Sequence, residues 1–117
     1  MKRAYGKNQA ERMLPLLTSI ARELDDRSTA IRAEELRLRR LEAEGGDEIA
    51  LANRVASLAE HKRELRHALE ELEQLGCEAE AGLHSVIYGP GADGQVESGY
   101  QLDARGELLS NAALEAA

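Results

Sequence analysis

Apolar residues recur in this chain at alternating spacings of three and four, in two long runs separated by Gly45-Gly46-Asp47. That pattern admits little besides two helices packed lengthwise. In the first run Ala10, Leu17, Leu24, Ile31 and Leu38 repeat every seven residues, with Met13, Ile20 and Leu41 three positions further on. In the second, Leu51, Val55, Leu58, Leu65, Leu69 and Leu72 form the stripe. A glycine can end a helix in the left-handed conformation, and an aspartate can cap the next one. Gly45-Gly46-Asp47 therefore reads as a stop followed by a start, and the tight turn between runs of similar length predicts an antiparallel pair. Gly6 or Asn8 is the expected cap of the first helix, and Gly76 ends the second. Pro15 removes a backbone donor in the first turns and is expected to bend the helix there.

Beyond Gly76 the pattern changes. His84-Ser85-Val86-Ile87-Tyr88 is β-prone, Gly89 to Gly94 reads as a turn, Val96 through Leu102 as a second strand, and Asp103-Ala104-Arg105-Gly106 as another turn. Two or three short strands are not stable alone in water and must lean on the helices or on a neighbouring chain. The expectation is one mainly α domain over 1–117: helix one at 4–43, helix two at 47–76, a β-hairpin tail at 77–109 and a flexible C-terminus at 110–117. The antiparallel, coiled-coil-like hairpin is expected to complete a bundle by oligomerisation.

Aromatic residues make up only 3% of the chain, with no Trp and no Phe. A core of Leu, Ile, Val and Ala suits helices better than a β-sandwich or a large enzyme pocket. The net charge of −7 is unevenly laid out. Residues 1–40 carry ten Lys/Arg against six Asp/Glu, and residues 41–117 carry five against sixteen. Two oppositely charged helices lying side by side account for this. Nucleic acid is not an expected partner, because the basic residues are interleaved with acids and the acidic half would repel phosphates. Neither a secretion signal nor a membrane span is legible, and the expected location is cytoplasmic.

The opening Tyr5-Gly6, the Ala10-Glu11 turn and the Met13-Leu14-Pro15 step, with Leu75-Gly76 after two charged helices and then Gly82-Leu83, resemble a bacterial family catalogued as domain of unknown function 2203. The resemblance covers residues 4–108 and implies the helical hairpin. The tail departs from the family pattern. Ser85-Val86-Ile87 stands where the family tends to have Asp-Phe-Pro, Tyr100 where it tends to have Trp, and Leu109-Ser110 near its Trp-His. If that aromatic, His-bearing edge carries an activity, the resemblance implies that this member has lost it.

Three groups of residues are candidates for function. Glu64 and His67 form the Glu-x-x-His spacing of di-iron carboxylate helices, since residues three apart on a helix can share a metal. The seam count places both on the outer face, where iron or another divalent metal would need ligands from another chain. Arg27 and Glu34 interrupt the seam of helix one and Lys62 that of helix two. Ile31 is expected opposite Lys62, with Glu34 and Arg27 within a turn of it and Lys62 coupled to Glu34. Such charges fix register and partner choice, or line a pocket for a small anion. Second stripes, Leu14 and Ala21 on helix one and Ala52, Ala59, Ala68 and Leu75 on helix two, would let another helix approach closely.

Cys77, the one cysteine, reads as a small apolar residue after a helix end, where the dipole disfavours a thiolate. The Gly89–Gly94 loop lacks the Gly-Lys-Ser/Thr ending of a phosphate loop. No catalytic residue is assigned and no cofactor is expected. The expected function is that of a non-enzymatic structural or interaction protein, a homo-oligomer with room for a further protein partner. The alternative is a bundle binding a metal or a small anion at a subunit interface.

Overall fold

A computed structural model describes residues 7–91, 99–106 and 108–110. Helix α1 spans Lys7–Ala43 and helix α2 spans Glu48–Gln74, antiparallel, with a turn at Gly45-Gly46 between them. Four short strands follow: β1 (Glu78–Glu80), β2 (Val86–Gly89), β3 (Tyr100–Asp103) and β4 (Leu108–Ser110). They form one antiparallel meander in the order β1-β2-β3-β4. The tail is thus a four-stranded sheet rather than a single hairpin, with Ile87 paired to Leu102 and Ala79 to Ile87.

Both helices end in the way their glycines dictate. At Gly45 (φ 68°) the Gly46 amide donates to the Leu41 carbonyl at 2.7 Å and the Gly45 amide to Glu42 at 3.3 Å. At Gly76 (φ 78°) the Cys77 amide donates to Leu72 at 2.9 Å and the Gly76 amide to Glu73 at 3.0 Å. Each is the paired arrangement in which a left-handed residue satisfies the last free carbonyls of a helix. Asp47 caps α2, its Oδ1 accepting from the Ile49 amide at 2.9 Å. Helix α1 begins at Lys7 and includes Asn8, so Asn8 is not its cap. It runs as helix through the exposed Pro15. Gly6, the tail turn at 92–94, the strand start at 96–98 and the segment 111–117 lie outside the described residues.

The core lies at one end. Leu17, Ile20, Ala21 and Leu24 of α1, Ala68 and Leu72 of α2, Cys77, Ile87 and Leu102 are buried together. Strands β2 and β3 pack on α1 and β1 packs on α2. The cap itself helps to build this core, since Cys77 follows Gly76 directly and lies with Leu72, its hydrogen-bond partner, in the same cluster. Polar contacts fix the sheet to α1. Asp25 Oδ1 accepts from the Ser85 amide at 2.6 Å, and Arg22 Nε donates to the Ala104 carbonyl at 3.1 Å. The far end of the hairpin is bare. Among the described residues between 25 and 67, Glu34 alone is buried.

This distribution corrects the expected oligomer face. Leu14, Ala21, Ala68 and Leu75 pack within the chain's own core. The tail folds back against both helices at that end, and Ala68 also borders the open side of the hairpin. Ala52 and Ala59 are exposed on α2, beyond the reach of the sheet. Val55, expected in the seam, is 52% exposed. The cross-helix contacts explain this: Arg54 and His61, not residues 55 and 62, reach α1. Leu69 packs against the core, whereas Val55 and Lys62 lie where there is no sheet to cover them.

A candidate interaction groove on the open face

The sheet occupies one side of the hairpin, reached by Thr18, Arg22 and Asp25 of α1. Leu16, Ser19 and Glu23 point the other way. With Ile20, and with Glu64, His67, Ala68 and Glu71 of α2, they line an open groove of about 470 Å³ between the helices. A second cavity of about 220 Å³, near the turn, is lined by Arg37, Arg40, Leu41, Glu44 and Arg54. Arg37, Arg40, Leu41 and Glu44 repeat the positions of Leu16, Ser19, Ile20 and Glu23 three heptads further on. Both cavities therefore lie on the same face of the hairpin.

Between them the seam is polar. Arg27 Nε donates to Glu23 Oε1 at 2.8 Å, and its Nη1 lies 3.0 Å from His61 Nδ1. A guanidinium can only donate, so Nδ1 accepts and the ring proton of a neutral His61 sits on Nε2. The hydrogen bond to Glu23 holds the Arg27 guanidinium above its ordinary value, and the charges of Glu23, Glu64 and Glu60 act in the same sense. Nearer the turn Glu34 is buried, its side chain 6% exposed. It accepts from Arg37 Nη1 at 2.7 Å on Oε1, and from Arg54 Nη1 at 3.3 and 3.4 Å on Oε1 and Oε2. Two partly solvated cations therefore satisfy a carboxylate that would otherwise be costly to bury.

Arg27 and Glu34 occupy the seam as their spacing implies, but Lys62 is exposed and does not meet them. The cross-helix pairs are Arg27 with His61 and Glu34 with Arg54. These pairs put Ile31 level with residues 57–58, about one helical turn from the expected Lys62. The seam thus takes Arg54 and His61 and leaves Lys62 outside. A double-mutant cycle between Glu34 and Arg54 is expected to give a coupling of about 0.5–1 kcal/mol. The same cycle between Glu34 and Lys62 is expected to give none. Additive losses for the Arg54 pair in urea denaturation would reject this register.

Glu64 and His67 stand at the lip of the groove rather than on a fully outward face, Glu64 half-buried and His67 exposed. Among the described residues no three His, Cys, Asp or Glu side chains converge on a metal-sized position. Charge is segregated along the groove more than between the helices. Glu23, Glu64 and Glu71 line the sheet end, and Arg37, Arg40 and Arg54 the turn end.

Sequence reasoning did not find the junction of sheet and helix. Asp25, His84, Ser85, Asp103, Ala104 and Arg105 line a cavity of about 350 Å³ there. Ser85 is wholly buried. Its hydroxyl donates to the Gly82 carbonyl at 3.1 Å and accepts from the Gly82 amide at 3.0 Å. Both roles of the hydroxyl serve the loop, so Ser85 is a structural residue and not a nucleophile. The backbone amide of Arg105 holds the Asp103 carboxyl below the ordinary carboxylate range, and the Arg105 side chain adds to this. These partners are local to a turn, a signal that periodicity does not carry.

Among the described residues no helix is long and apolar enough to cross a membrane. The model of the family described as "Uncharacterized conserved protein (DUF2203)" matches residues 3–87. No curated protein and no solved structure matches the chain.

Proposed function

For a chain that belongs to the DUF2203 family of uncharacterized conserved proteins, we propose a non-enzymatic role in which the helical hairpin associates with a second copy of itself. The single observation behind this reading is the bare half of the hairpin. There Ile31, Leu38, Leu41, Leu51 and Leu58 are only half-buried, and the one buried side chain is the carboxylate of Glu34. Two helices alone cannot close around a leucine seam, and a second pair completes the burial in a four-helix bundle. Each leucine that moves from half-buried to buried contributes on the order of 1 kcal/mol. A cytoplasmic location belongs to the same reading, on the strength of a single buried cysteine.

The test is the mass in solution. Light scattering at micromolar concentration should return at least twice the 12.8 kDa of one chain, and the melt should rise with concentration. A monomer of concentration-independent stability would overturn the proposal. A metal-binding role for Glu64 and His67 has less behind it, because a single chain assembles no third ligand among the described residues. Metal analysis of the purified protein tests that alternative separately.

A further inference from the structure

The two cavities lie on the same open face of the hairpin, about 30 Å apart along the helices. Their linings differ in charge: Glu23, Glu64 and Glu71 at one end, and three arginines (Arg37, Arg40, Arg54) with one carboxylate (Glu44) at the other. Leu16, 49% exposed, and Leu41 add apolar surface at the respective ends. We propose that the second copy docks face to face on this groove with its hairpin reversed, so that the basic turn end of each copy covers the acidic sheet end of the other. This rests on the self-association reading above and specifies its interface and direction.

The direction follows from symmetry. Two hairpins stacked through the same face are related by a two-fold axis lying in the interface. An axis parallel to the helices sets turn on turn and sheet end on sheet end. It sets the net acidic sheet end on its own copy and the net basic turn end on its own copy. An axis across the helices reverses one copy. It then stacks α1 on α1 and α2 on α2, in opposite directions.

When that axis passes near the level of Ala30, midway between the cavities, Arg37 of each copy comes level with Glu23 of the other. Arg54 then comes level with Glu64. Both helices give the same centre to within a residue. Like charges set directly opposite cost affinity and opposite charges steer docking, so the reversed arrangement is the favoured one. Glu34 orients Arg37 and Arg54 while offsetting one of their two charges, so the pair still carries a net positive charge. Two of the three guanidiniums are therefore already held in place before docking.

Arg40 and Glu71 are exposed residues of the two cavities, and no ion pair is found for either among the described residues. Arg40 lies in the last turn of α1, where a cation offsets the helix dipole, so Arg40→Glu loosens that turn locally; circular dichroism and a melt of each variant check that the fold is kept. Dimer dissociation constants would be measured by analytical ultracentrifugation at low ionic strength. Arg40→Glu and Glu71→Arg are each expected to weaken the dimer about three- to tenfold, and the combined variant to return close to the parent value. The restoration arises because a reversed pair sets each altered end against the other. A dimer that tightens with Arg40→Glu would show like ends together and overturn the reversed docking. So would a dimer indifferent to both changes. In either case the self-association reading still stands. A parent chain that stays monomeric overturns that reading and the docking with it.

Discussion

Leu72→Ala is expected to cost about 3–5 kcal/mol in urea denaturation, and Leu24→Ala as much, under dilute conditions that keep the chain monomeric. Both side chains are almost fully buried, at 1% and 0% exposure. Truncation removes their apolar contacts and leaves a cavity between the helices and the sheet. Leu58→Ala and Ile31→Ala remove the same class of side chain from the same seam, but from its half-buried stretch. Their cost is expected to stay near 1–2 kcal/mol, because water already reaches part of the side chain and can fill the space vacated. Equal losses at Leu72 and Leu58 would show that the free half of the hairpin is as well packed as the sheet end. The placement of the core would then be wrong.

Gly99→Ala is expected to destabilise the chain by at least about 3 kcal/mol and to detach the sheet from the helices. Gly99 is buried immediately before β3, where two backbone segments pass closer than a side chain allows. A Cβ there would collide with the Gly89 carbonyl oxygen. It would also lie 2.7 Å from the Gly91 amide nitrogen and 2.8 Å from the Pro90 carbonyl carbon. All three obstacles are backbone atoms and cannot swing aside. The strand pairing of Gly89 with Tyr100 would have to open. Gly82→Ala is the control, because its added methyl would meet nothing within 4 Å. A Gly99→Ala protein that melts like the parent would show that the chain around Gly89-Pro90-Gly91 repacks freely.

The hairpin was legible because its signals are local. Heptad spacing, the glycines at 45 and 76 and the aspartate at 47 each act within a turn or two of themselves. The register of α2 was not fully legible. Spacings of three and four around Leu51, Leu58 and Leu65 fit a second seam row at 55, 62 and 69 or at 54, 61 and 68. Apolar Val55 and Leu69 favour the first row on pattern alone, yet Arg54 and His61 are the residues that reach α1. Of that first row only Leu69 packs against the core. That shift displaced Lys62 from the seam and hid the polar pairs at its centre.

The tail was legible only in part. Val86-Ile87-Tyr88 announces a strand, but Glu78-Ala79-Glu80 carries no β-branched or aromatic residue and becomes one by pairing with β2. Its charged side chains suit an edge, where they discourage further strand pairing. The fold-back of the sheet onto α1 rests on contacts between residues far apart in sequence, such as Asp25 with Ser85. No window of sequence contains both partners. Of the stripe expected to face a second copy, Leu14, Ala21, Ala68 and Leu75 pack in or against the chain's own core, while Ala52 and Ala59 are exposed.

The uneven placement of the core also sets how the molecule opens. Unwinding from the Gly45-Gly46 turn frees leucines that are already half-wet and one carboxylate that regains water, so it proceeds turn by turn at modest cost. At the sheet end Leu17, Leu24, Leu72, Ile87 and Leu102 support one another, and none can be released singly. In the single chain, backbone amides of α1 near the turn are therefore expected to trade their protons with solvent through small local openings, and those around Leu24 and Leu72 only on global unfolding. One continuous helix thus spans two cooperative units. The boundary between them falls where the sheet ends, not where the hydrogen-bond ladder does.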